Sequence, residues 1–174
     1  GRILRVVYGA RNMSSQKVNI KRAQEEILDA LKNIKKDFDD SGIDGVLSEN
    51  IQRDALEKFS YVSPIGAAGL FYHATAADFQ REGKQREAFK TMIREIAALA
   101  EAMGVPFERD MVEVNLKILS SLAPEATTSM QRDVMEGKDS EIDGLVYEVV
   151  RMGERYHVPV PMYAKVAKKL RENF

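Results

Sequence analysis

The sequence predicts a mainly α protein, an all-helical body over residues 51–174 preceded by a short β-α-β head over residues 1–50. Three observations carry this reading. The period of the apolar residues changes from strand-like to helical at Ile20, a short β-branched run returns only at Ile43, and every later segment repeats its apolar residues at steps of three and four.

The elements follow in order. Residues 2–8 are rich in β-branched and aromatic types and stop at Gly9, which predicts a strand; residues 10–19 are a polar loop with Asn12, Ser14, Ser15 and Asn19. Ile20, Ala23, Ile27, Leu31, Ile34 and Phe38 form the stripe of an amphipathic helix over 20–40, with Asn19 as its expected cap. Ser41-Gly42 ends it, and 43–47 is a second strand. Helices are then expected over 51–70, with Pro64 as a kink, and over 75–81, started by a Thr75 cap. Others are expected over 84–103, 109–122 and 129–136, then over 141–156, capped by Ser140 with Asp143 three positions on, and over 162–172. Val158-Pro159-Val160-Pro161 separates the last two. Two strands and one helix cannot bury a core alone, so the head must pack on the helices, pair with another chain or belong to a larger sheet.

Composition narrows the function. Of 174 residues, 44% are apolar and 30% charged, the balance of a folded domain rather than a disordered chain. With 26 basic and 27 acidic residues the net charge is -1, which gives no overall attraction to nucleic acid or an anionic membrane. The absence of Cys removes disulfides, thiolate catalysis and Cys-ligated metals, and fits a reducing, cytoplasmic setting. No apolar run approaches the roughly 20 residues of a spanning helix. The opening residues do not read as a signal peptide, and Gly1 in place of an initiator Met suggests a processed or cut chain.

Few residues offer chemistry. No G-x-G-x-x-G or Walker loop occurs; Gly66-Ala67-Ala68-Gly69 lies inside a helical pattern and reads as close helix packing. His73 and His157 lack a partner at i+4, so each reads as a loop or helix-end side chain, and no metal site is expected. Lys58 follows an apolar position on the 51–70 helix. Desolvated, it could serve as an acid or anion clamp, because burial lowers a lysine pKa; solvated, it would pair with Asp54 four residues earlier. A hydroxyl- and carboxylate-rich cluster, Thr127-Thr128-Ser129-Met130-Gln131-Arg132-Asp133 followed by Gly137 to Asp143, places Glu141 at a helix start. There it is either good capping or a carboxylate fixed to bind a polyol or hold an ammonium group. Lys165, Lys168, Lys169 and Arg171 read as a solvated helix face.

Ser129-Met130-Gln131-Arg132-Asp133, then Glu141-Ile142-Asp143, then Val149 to Gly153 and His157-Val158-Pro159-Val160-Pro161 together resemble the end of ketopantoate reductase (2-dehydropantoate 2-reductase). Asn50 to Phe59 resembles that family's lysine-bearing helix, with Leu56 where Trp is frequent. The resemblance spans essentially the whole chain and is most specific over 127–161.

It implies a C-terminal helical domain, like that of 6-phosphogluconate dehydrogenase, preceded by the last β-α-β piece of a Rossmann domain. The implied reaction is NADPH-dependent reduction of ketopantoate to pantoate, with the cofactor held mainly by the N-terminal domain. Lys58 matches the catalytic lysine, a general acid. Ser129 and Glu141 match substrate-contacting residues, and Asp133 a nearby aspartate. In the best-known members asparagines stand four and eight positions after the lysine; here these are Val62 and Gly66, which leaves the keto acid open. The resemblance also implies a homodimer and a small 2-keto acid as partner, and a fragment inactive by itself. Two other readings stand beside it: a dehydrogenase of a related 2-keto or hydroxy acid, and a nonenzymatic helical dimerisation module.

Overall fold

A computed structural model describes residues 4–10 and 18–173. The start of the first expected strand, residues 2 and 3, and loop residues 11–17 lie outside the described residues. The chain divides into two compact units, residues 1–55 and 56–174.

In the first unit β1 (Arg5–Tyr8) and β2 (Asp44–Leu47) pair in parallel, from Arg5 against Asp44 to Tyr8 against Leu47. A parallel pair needs a long crossover, which α1 (Val18–Asp40) supplies. The helix begins at Val18, so Asn19 lies inside its first turn rather than at the cap. The Tyr8 hydroxyl donates to the Leu31 carbonyl at 3.0 Å, and its ring meets Phe38 edge-on at 5.4 Å. Gly45 permits that closeness, since a Cβ there would come within 2.9 Å of Phe38. Leu4, Val7, Ile27, Leu28 and Ile34 nevertheless remain exposed.

The second unit has only helices as regular elements among its described residues, joined by turns and loops. It contains most of α2 (Ile51–Tyr72), then α3 (Ala76–Gln80), α4 (Lys84–Ala102), α5 (Met111–Ser120) and α6 (Ser129–Met135). A π-helical turn over Asp143–Tyr147 leads into α7 (Glu148–Tyr156), and α8 (Pro161–Asn173) closes the chain. Phe89, Met92, Ile93, Ile96 and Leu99 of α4 form the middle of the core, against Phe79, Val149, Tyr163, Val166 and Leu170. The basic residues of α8 face solvent while Val166, Ala167 and Leu170 are buried, the expected two-faced helix.

Three polar arrangements hold these helices in place. Pro64 has no N–H to give the Ser60 carbonyl, four residues back, and the buried Asn115 side chain of α5 donates to that oxygen at 2.9 Å. The buried Glu95 carboxylate of α4 accepts from the backbone N–H groups of Met162 (2.7 Å) and Tyr163 (3.0 Å), so it caps α8 from across the core. Ser63 of α2 donates to the Leu145 carbonyl in the π turn at 2.5 Å; a carbonyl only accepts, so the Tyr163 hydroxyl, also at 2.5 Å, donates to Ser63.

Several local expectations change. The helix after Met103 starts at Met111 with Asp110 as its cap, which accepts from Val112 N at 2.8 Å. The capping box expected from Ser140 and Asp143 does not form. The helix opens instead on the π turn with no side-chain cap, and the Asp143 carboxylate pairs with both terminal nitrogens of Arg151 at 3.0 and 2.9 Å. That guanidinium holds Asp143 below the usual aspartate range.

Candidate active site

All four residues singled out from the sequence lie in the second unit, on segments that meet α2. Lys58, Val62 and Gly66 recur at every fourth position along that helix and so share one side of it. Lys58 is exposed, Val62 half-buried and Gly66 buried. A Cβ on Gly66 would stand 2.7 Å from Met130 Cε and 3.5 Å from Thr128 Oγ1, and one on Gly69 would stand 2.5 Å from the Gln131 amide. The start of α6 therefore lies directly on the Gly66-Ala67-Ala68-Gly69 stretch, the close packing expected of it, and Ser129 is held between two residues that touch α2.

The α6 start is fixed by its own chemistry. Thr128 Oγ1 accepts from Gln131 N at 3.2 Å, while Gln131 Oε1 accepts from Thr128 N at 3.0 Å, a reciprocal capping box. Gln131 Nε2 then donates to the Ala74 carbonyl at 2.9 Å, which ties the cap to the end of α2. Ser129 is exposed in the first turn; Asp133, one turn on, is half-buried. Glu141 precedes the π turn, exposed, with its carbonyl accepting from Leu145 N at 2.8 Å. Because Ser63 holds Leu145, this segment too is anchored on α2, one turn beyond Lys58.

The structure thus brings the two segments that carry Ser129, Asp133 and Glu141 onto the helix that carries Lys58. It records no hydrogen bond or ion pair among the side chains of Lys58, Ser129, Asp133 and Glu141 within the described residues. π turns inside helices are frequent at functional sites, and this one begins two residues after Glu141. His73 and His157 stand at the ends of α2 and α7 with left-handed backbones, φ 51° and 56°. Among the described residues no group of three or more acidic or histidine side chains is placed to hold a metal, and no helix is long and apolar enough to cross a membrane.

Cavities add a residue that the sequence reading missed. Two larger clefts, of about 390 and 500 Å³, contain none of the four candidates. A smaller one of about 170 Å³ is lined by Tyr61 and Ile65 of α2, Phe79 of α3, Leu122, and Ala126 to Thr128 before Ser129. The Tyr61 hydroxyl is buried without a hydrogen-bond partner among the described residues, and burial raises its pKa, so it stays a protonated donor. Its spacing, three residues after Lys58, was the available signal.

A family model described as the ketopantoate reductase PanE/ApbA C terminal matches residues 50–173. The chain belongs to this family. It is 22% identical over 181 residues to the 2-dehydropantoate 2-reductase of Aquifex aeolicus, covering 96% of this chain and 58% of that protein. Among solved structures it resembles 2-dehydropantoate 2-reductase from Methylococcus capsulatus (TM-score 0.71, 27% identity, 82% of this chain and 46% of that one). It also resembles D-mandelate dehydrogenase bound to NADH and anilino(oxo)acetate (TM-score 0.68, 17% identity, 82% and 59%), a likeness of fold alone. The chain spans about half the length of the relatives it matches. The mainly α architecture is that of the family's C-terminal domain.

Proposed function

We propose that this chain is the substrate-binding half of a nicotinamide-dependent reductase that converts ketopantoate to pantoate. In this reading residues 51–174 are the substrate domain and residues 1–50 the last β-α-β part of a dinucleotide-binding domain. The observation that carries it is the docking of α6 and the π turn onto the helix that bears Lys58, combined with the family match over 50–173. The exposed Leu4, Val7, Ile27, Leu28 and Ile34 of the head are the apolar surface that further sheet and helices would cover.

The 174 residues contain no Gly-rich strand-loop-helix motif, so none of them is assigned to the dinucleotide. NADPH bound elsewhere in the whole protein would supply the hydride. What this chain supplies is charge and proton management. Reduction of a ketone builds negative charge on its oxygen, and the Lys58 ammonium is the donor for that oxygen. Glu141 orients the ammonium by charge, the Ser129 hydroxyl hydrogen-bonds the substrate, and Asp133, four residues on along α6, faces the same side and supports that contact. The exposure of Lys58 and Glu141 leaves both side chains available to a ligand.

A related 2-keto or hydroxy acid is the second reading, favoured by Val62 and Gly66, which offer no donor where other members have asparagines. Assay of the whole protein with NADPH and NADH across a panel of 2-keto acids decides between the two. Highest kcat/KM on ketopantoate supports the first, and a preference for another acid supports the second. No turnover of any would overturn both.

A further inference from the structure

The two buried serines of α2 use their hydroxyl protons differently. Ser60 Oγ donates to the Glu57 carbonyl at 2.7 Å, three residues back, a local bond of the kind that helical serines make. Ser63 Oγ instead reaches across the fold to the Leu145 carbonyl at 2.5 Å, and the Tyr163 hydroxyl, also at 2.5 Å, donates to it. Ser63 and Tyr163 are both fully buried. Burial holds the Tyr163 phenol well above its ordinary pKa, so it keeps the proton that it gives to Ser63.

The chain of bonds continues to the proposed site. Leu145 N–H donates to the Glu141 carbonyl at 2.8 Å, so one residue is bonded on one side to Ser63 and on the other to Glu141. Tyr163 of α8, Ser63 of α2, Leu145 and Glu141 thus stand in an unbroken series. Ser63 lies five residues after Lys58 on the same helix, and the series ties the Glu141 backbone to the helix that presents the ammonium.

Other restraints on this segment are weaker or less directional. The π turn has no side-chain cap at its start. Arg151 holds Asp143 from outside, but the two side chains are 42% and 75% exposed, and an ion pair so exposed restrains little. Ile142 packs in the core, which keeps the segment against the helices, yet apolar burial is non-directional. The buried hydrogen bonds remain as the part that sets distance and direction.

We propose that Ser63 and Tyr163 are positioning residues for the reduction, which act through Leu145 to set where Glu141 stands relative to Lys58. This rests on the reductase reading and deepens it: the carboxylate that orients the ammonium is itself placed by a relay from α8.

The test is a double-mutant cycle in the whole protein, with NADPH and ketopantoate, or the 2-keto acid that it reduces best. Ser63→Ala should lower kcat about 10- to 100-fold, the scale of a displacement near 1 Å, and leave KM for the keto acid within about threefold. Tyr163→Phe keeps the ring and the Ser63 bond to Leu145, so it should lower kcat by less, about 3- to 10-fold; it carries the same comparison where Ser63→Ala fails to fold. In a Glu141→Ala background either substitution should change kcat by less than about twofold, since no carboxylate is left to place. Equal losses in both backgrounds would show that the pair only supports the fold. That result, a loss confined to KM, or a Glu141→Ala protein as active as wild type would overturn the inference and leave the reductase reading intact. Turnover of no 2-keto acid by the wild type would overturn the reading, and the inference with it. Amide hydrogen exchange gives a check that needs no turnover. Tyr163→Phe should speed exchange at Leu145 about 3- to 10-fold and leave the core amides of α4 unchanged, and unaltered exchange at Leu145 would overturn the inference.

Discussion

The Asn115 amide of α5 donates to the Ser60 carbonyl of α2 at 2.9 Å, occupying the acceptor that Pro64 leaves without its helical donor. The same nitrogen lies 3.0 Å from Ser60 Oγ, whose own proton goes to the Glu57 carbonyl at 2.7 Å. A proline in the middle of the helix that bears Lys58 is thus compensated from a neighbouring helix.

Asn115→Leu should cost about 1–3 kcal/mol, because a buried carbonyl is left without a partner. In a Pro64→Ala background residue 64 regains its N–H, and the same substitution should cost less by about 0.5–2 kcal/mol. Urea unfolding of the four proteins of this cycle measures the coupling. Equal costs in the two backgrounds would contradict the compensation.

Packing at the two glycines of α2 is graded. Gly69→Ala would push a Cβ onto the Gln131 amide, which is buried and bonded to Ala74, whereas Gly66→Ala meets only the flexible end of Met130. Gly69→Ala should therefore destabilise by about 1–3 kcal/mol and Gly66→Ala by less, near 1 kcal/mol. Thermal unfolding of both variants checks the order, and the reverse order would show that α6 is not held against α2 as described.

Glu95 makes the stability of the α8 junction depend on pH. Burial raises its pKa above 4.5, and the two backbone N–H groups that it accepts from offset this only in part. Since the folded state holds its proton more tightly than the unfolded state, Glu95 is most favourable below pH 4.5. Its contribution falls as pH rises through the folded pKa. The stability of wild type relative to Glu95→Gln, from denaturation midpoints, should thus be greater at pH 4 than at pH 7. A difference that grows with pH would mean that hydrogen bonding outweighs burial at this carboxylate.

The head and the helical body were legible because they rest on periodicity: the stripe at Ile27, Leu31, Ile34 and Phe38 and the change of period before β2 are local signals. Lys58 and Glu141 stood out from their helix positions, the roles of Lys58, Ser129, Asp133 and Glu141 came from motif resemblance, and the segments carrying the last three do meet α2. Asn115, Glu95 and Tyr61 were invisible for a common reason. Each is defined by a relationship across the fold, to a proline 51 positions away, to the start of α8 and to a cavity, and no spacing along the chain encodes it. The π turn hid similarly, since its Asp143 and Ser140 look like a capping box until Arg151 captures the carboxylate.

The central claim is that Lys58 delivers the proton in reduction of a 2-keto acid, and steady-state kinetics of Lys58→Ala in the whole protein, with NADPH and ketopantoate, test it most directly. Loss of a general acid that acts only in the transition state should lower kcat and kcat/KM together, by about 10²–10⁴-fold. Turnover within about threefold of wild type would show that the proton comes from elsewhere, and the assignment of Lys58 would fall.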